Sequence, residues 1–227
     1  MKPVLLAVVA ALAVAAAFAP VGSATNECHG IQSCIRVPGP WVIVPAHGTA
    51  DYLLTCPNGR SVVGGLDAQA TTRDVRVSFD GRLGAPVQPG QTTTRYAFFR
   101  AVSVSATKQA FRPLLGCIPT QGGGGRSTVS ARVVPVGQSL EYRSRIVVVG
   151  PGDVKFGRVA CQKTEKLVGG WHAVAFRTKQ PPNLANVGLV SARHAVVGKM
   201  VVVTASSTDA LSPDAHAIVQ VGAECAP

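Results

Sequence analysis

From Asp74 to Asp80 the chain reads DVRVSFD, with Val75, Val77 and Phe79 alternating with Asp74, Arg76, Ser78 and Asp80. A period of two puts the apolar set on one face and the polar set on the other, the pattern of a half-buried strand. Near the carboxyl end, Ala217, Val219, Val221, Ala223 and Cys225 share one face opposite Gln220 and Glu224. Further β-runs are predicted at WVIV from Trp41, RYAFFRAVSVS from Arg95, STVSARVVPV from Ser127, RIVVVG from Arg145, VGLVSA from Val187 and KMVVVTAS from Lys199. Helical spacing is absent after the first two dozen residues, and 16 prolines and 24 glycines interrupt the runs at short intervals. The pattern predicts an all-β fold.

One pattern occurs twice. CPNGRSVVGGLDAQA runs from Cys56 to Ala70, and CQKTEKLVGGWHAVA from Cys161 to Ala175. The two stretches align without a gap from Ile35 to Ala70 and from Leu140 to Ala175. Their shared letters are apolar or glycine, so the duplication marks architecture. Val63, Gly64 and Gly65 match Val168, Gly169 and Gly170; paired glycines inside a strand point to a bulge or a close backbone approach. A phosphate-cradling loop would need a helix after it, and none is predicted. The expected organisation is two tandem disulfide-bridged β-sandwich repeats, residues 25–121 and 126–227, each with its own core, joined by a glycine linker at 122–125. One larger sandwich or barrel built from two half-repeats is the alternative.

The cysteines follow the duplication. Cys56 precedes Cys117 by 61 residues and Cys161 precedes Cys225 by 64, and both later cysteines lie in Cys-x-Pro. Matching positions predict matching bonds, Cys56 to Cys117 and Cys161 to Cys225, leaving Cys28 and Cys34 to close CHGIQSC. The competing reading of that loop is a metal site of Cys28, His29 and Cys34. It offers three ligands with no evident fourth, and unpaired thiolates are rare in an oxidising space. The expectation is therefore three disulfides, no metal and no cofactor.

An oxidising space is what the amino terminus implies. Met1 and Lys2 precede an apolar run of 16 residues, Val4 to Ala19, and Gly22, Ser23 and Ala24 form a small-x-small cleavage site. The run is shorter than the roughly 20 residues of a spanning helix, so residues 1–24 read as a secretory signal peptide. The chain is expected to be exported, extracellular and without a membrane span. Its formal net charge of +11 favours anionic or cell-wall polymers as partners. The basic residues never form a run, however, and no pattern reads a specific nucleic acid.

Two cysteines about sixty residues apart in a domain of this size resemble an immunoglobulin-type sandwich. The departures are that a tryptophan follows the first cysteine only in the second copy, Trp171 against Leu66, and that Leu115 and Ala223 stand where that family has its corner tyrosine. CPNGRSVVGG is also similar to the Cys-Pro-x-Gly turn followed by Gly-Gly of small secreted β-rich proteins of actinobacteria. The resemblance implies a secreted bacterial β-protein and assigns no activity.

Catalytic signatures are missing: no G-x-S-x-G, no H-E-x-x-H and no cysteine left free as a nucleophile. His47 and Asp51 in HGTAD, with a serine such as Ser61, could serve an extracellular hydrolase. Trp171 and His172, beside Arg177, could line a sugar site. Arg95, Tyr96 and Arg100 in RYAFFR combine rings with cations, and Arg76 lies on the wet face of its strand. The reading taken is a non-enzymatic secreted binding or surface-associated protein. A hydrolase using His47 and Asp51, or an inhibitor or structural protein acting through loops, is the alternative. Amino-terminal sequencing of exported protein is expected to start at Thr25; a start before Pro20, or an intact signal, would reject the cleavage assignment.

Overall fold

The computed structural model describes residues 34–57, 61–80, 95–119 and 140–227. The signal segment 1–24, Cys28, the glycine run 122–125 and the β-run from Ser127 lie outside the described residues. Thirteen strands lie among the described residues, in chain order. They are β1 (Ile35–Pro38), β2 (Trp41–Val44), β3 (Thr49–Thr55), β4 (Ser61–Ala70), β5 (Val75–Asp80), β6 (Tyr96–Ser103) and β7 (Gln109–Pro119), then β8 (Glu141–Val148), β9 (Val154–Ala160), β10 (Lys166–Phe176), β11 (Val190–Val197), β12 (Met200–Ser207) and β13 (Ala217–Ala226). Every pairing between them is antiparallel. The class is all-β.

The predicted runs at Trp41, Arg95, Arg145 and Lys199 lie in β2, β6, β8 and β12. VGLVSA differs. Leu184–Gly188 forms a short helix, α1, capped by the Asn183 side chain accepting from the Ala185 N–H, and the strand begins only at Val190. Asparagine at the cap and proline just before it favour this turn over extension. A 3-10 turn spans Pro213–Ala215.

Three sheets result. Strands β3, β6 and β5 form one small sheet, with β6 central, and β9, β12 and β11 form another, with β12 central. The remaining strands share a seven-stranded sheet ordered β1-β7-β2-β10-β13-β8, with β4 also paired to β7. The pairing within residues 41–119 thus matches, strand for strand, the pairing within residues 141–226. The halves meet where Val42 faces Ala175 and Trp41 faces Phe176.

Opposed residues of an antiparallel pair share a face, so this register decides both cores. Val42, Val44, Phe111 and Leu115 pack with Ala173, Ala175 and Ile218 on one face, beneath Tyr52, Leu54 and Phe99 of the first small sheet. Trp41, Ile43 and Ala110 join Phe176, Val219 and Val221 on the other, beneath Val201, Val203 and Ala205 of the second. The layers are small sheet, large sheet, small sheet. Neither core is made by one half alone.

Each half keeps its own bridge. Cys56 is bonded to Cys117 and Cys161 to Cys225, as the duplicated spacing predicts, and each bond ties a small sheet to the large one. A closed loop of this length stabilises the fold by about 4 kcal/mol in the chain-entropy model. Cys34 is also disulfide-bonded; its expected partner Cys28 is outside the described residues. The glycine pairs do mark bulges: pairing slips between Val63 and Gly65 in β4 and between Leu167 and Gly169 in β10.

A third cluster closes the joint. Trp171, 4% exposed, packs with Leu53 and Phe98, and Tyr142 stacks on Phe98 with centroids 4.4 Å apart. The indole lies so close over β13 that a Cβ at Gly222 would run into it. Beside it, the buried Gln220 amide accepts from the Leu53 N–H at 2.8 Å and donates to the Leu53 carbonyl at 2.9 Å. Replacing Gln220 with Leu orphans two buried backbone groups, each costing about 1–3 kcal/mol. Urea unfolding is expected to show Gln220→Leu destabilised by about 2–5 kcal/mol, with Gln180→Leu on the surface within about 0.5 kcal/mol of the parent.

Candidate functional site

The residues singled out from the sequence fall in four different places. His47 occupies the β2–β3 turn with φ 46° and donates its backbone N–H to the Ser105 carbonyl. Asp51 is on β3, where its carboxylate accepts from Arg100 Nε at 2.8 Å and Arg100 Nη2 at 2.9 Å. Ser61 opens β4, 8% exposed. No hydrogen bond links His47, Asp51 and Ser61 among the described residues.

The RYAFFR segment is split by the alternation of β6. Phe99 enters the core, while Phe98 and Arg100 face the joint. Arg100 reaches Glu224 at 3.7 Å as well as Asp51, and its guanidinium lies 5.6 Å from the Phe98 ring. The hydrogen bonds to Asp51 hold it charged, raising it above its ordinary value. The Tyr142 hydroxyl donates to Asp80 at 2.7 Å, and its proton is held more tightly than usual, first by burial and then by that bond. Burial also raises Glu224. Tyr96 donates to Glu141 at 3.4 Å, Arg95 is half-buried and Arg76 exposed. Arg100, the cation at the joint, is therefore engaged by acids on both sides.

Small sheet β9-β12-β11 is different. None of its three strands contains Asp or Glu. Val201, Val203 and Ala205 of β12 point into the core, so the alternate residues form an outer face. One row across it reads Phe156, Thr204, Arg193, and the next Arg158, Val202, Ala195. Phe156 is 71% exposed and Val154 60%, and Arg158 and Arg193 are both exposed. Sheet spacings put Arg193 about 10 Å and Arg158 about 7 Å from the phenylalanine. The matching face of the first half carries Asp51 and Asp80 instead. Sequence reasoning passed over this face, although the gapless alignment already sets Phe156 against Asp51, an aromatic ring where the other copy has an acid.

His172 projects from β10 toward the second small sheet, and its Nδ1 lies 2.6 Å from Nδ1 of His194 on β11. The rings meet at 60° with centroids 4.9 Å apart. Burial, then the neighbouring His194, lowers the His172 pKa below its ordinary 6.5. Cys161, Glu165 and Cys225 also converge, but the two sulfurs are bonded to one another. Glu165 is engaged by Arg143 at 2.6 Å and by the Gln162 N–H at 2.8 Å. That cluster has no thiolate to offer a metal.

Comparison with family models, with curated proteins and with solved structures gave no match in any of the three. Among the described residues no helix is long and apolar enough to cross a membrane.

His172 gives the fold a pH dependence whose sign is fixed. Its folded pKa lies below the unfolded value of about 6.5, so the charged form is disfavoured in the native state. The associated stability is present above that value and lost as pH falls through the window beneath it. Thermal unfolding is expected to show a decline below pH 6.5 that is reduced in His172→Gln; an unchanged profile in the variant would show that other groups set it.

Proposed function

We propose that the protein is an exported, non-enzymatic binding protein whose ligand is an anionic polymer of the cell-wall type, held on the outer face of the β9-β12-β11 sheet. The observation that carries this reading is the company Phe156 keeps. A phenylalanine left 71% exposed beside two arginines that have no ionic partner among the described residues, on strands without a carboxylate, combines an apolar platform with free cations. Arginine forks suit phosphate, sulfate and carboxylate groups, and an aromatic ring covers the apolar side of a sugar. An extended sheet face suits an extended chain, since successive units meet successive rows.

The exported setting is supported by the oxidised cysteines and by the apolar amino-terminal segment with its cleavage site. Duplication of one six-strand unit, followed by divergence, accounts for the contrast between the faces. In the first copy Asp51 and Asp80 engage Arg100 and Tyr142 at the joint, whereas the second copy leaves its outer face open.

The test is a salt titration of binding to dextran sulfate, with neutral dextran as the comparison. Affinity for the anionic polymer is expected to fall steeply between 50 and roughly 200 mM salt, because exposed attraction is screened within about 8 Å at physiological ionic strength. The double variant Arg158→Gln, Arg193→Gln should weaken binding about tenfold, or about 1.4 kcal/mol, and flatten the salt dependence. Phe156→Ala should weaken it at every salt concentration. Equal binding to both polymers, or indifference to all three substitutions, would reject the site.

A further inference from the structure

His172 and His194 are not used by the polymer-binding reading, and they sit on the opposite side of the second small sheet from Phe156. His172 shares its face of β10 with Val174 and Phe176, both packed in the core beneath that sheet. His194 follows the same inward parity on β11 as Val190 and Ala192. The two imidazoles therefore span the gap between layers at its open end. His172 is half-buried and His194 exposed.

An Nδ1 to Nδ1 separation of 2.6 Å rules out a proton on both nitrogens at once. At least one lone pair must point into the gap, and a single electrophile must lie between the rings, either a shared proton or a metal ion. No carboxylate is paired with either ring among the described residues. Both histidines bring Nδ1 to one place, and imidazole is a good ligand for copper, nickel and zinc.

We propose that His172 and His194 form an open two-imidazole site for a divalent transition metal, copper(II) or nickel(II) in preference to zinc. Metal to imidazole bonds are about 2.0–2.1 Å. Two such ligands at right angles, as on a square-planar ion, stand about 2.9 Å apart, whereas two on a tetrahedral ion stand about 3.3 Å apart. The observed separation lies nearer the square-planar value, and exposed His194 can supply the few tenths of an ångström required by rotating about its side-chain bonds. Copper also heads the affinity order for nitrogen ligands. The remaining coordination positions face solvent and take water. A bound ion would clip β10 of the large sheet to β11 of the small one.

Copper(II) chloride, and separately nickel(II) and zinc(II), are titrated into the full chain, followed by electron paramagnetic resonance and by thermal unfolding. The expected result is one copper per chain, with hyperfine splitting from two nitrogens and a melting temperature that rises with added copper. His194→Ala changes an exposed residue and keeps the fold, which circular dichroism verifies. It should weaken copper binding by no less than the roughly 10–100-fold that loss of an outer-shell partner costs a metal site, and His172→Ala should do the same. His29→Ala, His47→Ala and His216→Ala should leave binding intact. Absence of saturable binding at millimolar copper, or binding that persists in His194→Ala, would show that the two nitrogens share only a proton. Polymer affinity is measured on the same variants; its loss in Phe156→Ala and its retention in His194→Ala separate the two sites.

Discussion

Two residue pairs hold the molecule together as one body. Where Trp41 meets Phe176 and Val42 meets Ala175, an edge strand of the first half pairs with an edge strand of the second, and a four-stranded and a three-stranded unit become one continuous sheet. A strand edge left unpaired exposes N–H and C=O groups and invites other chains; here each half satisfies the other. The alternation of side chains then assigns every neighbouring residue to one of the two cores. A slip of one residue would send Trp41 toward the wrong small sheet and reverse the faces of the whole junction. The aromatic cluster of Leu53, Phe98, Tyr142 and Trp171 locks the register from the side.

The joint also explains the unequal chemistry of the two halves. Residues on the outer face of the first small sheet are drawn toward the second half, where Arg100, held by Asp51 of its own sheet, reaches Glu224 and Asp80 accepts from Tyr142. The second small sheet has no further neighbour among the described residues. Its outer face is free to keep an exposed phenylalanine and two arginines, which a packed interface would bury at the cost of desolvating the charges. Position along the chain, more than residue type, separates a structural face from a candidate binding face.

Much of this was legible in the sequence for local reasons. Period-two alternation located β5 and β13, and the repeated spacing of Cys56 and Cys117 with Cys161 and Cys225 fixed both bridges, because a bond between sheets needs inward cysteines at set distances along paired strands. The glycine pairs signalled bulges, the extra residue being Gly64 itself in β4 and Val168, just before the pair, in β10. The pairing of Trp41 with Phe176 was not legible: it joins residues far apart in the chain, and nothing in WVIV says which edge it will meet. Helix α1 overlaps the start of a predicted β-run and went unseen because five residues are too few to show a 3.6 period. The two histidines could not be associated either, as their contact depends on how two sheets stack.

The buried glutamine against β3 has a wider meaning. With its amide presenting one donor and one acceptor in the spacing of a neighbouring peptide, Gln220 acts as a one-residue surrogate strand at Leu53. It ends the first small sheet from the side, without a charge, a proline or a covering loop. A polar side chain in the core thereby serves colloidal behaviour: the place where a foreign strand would begin to add is already occupied from within.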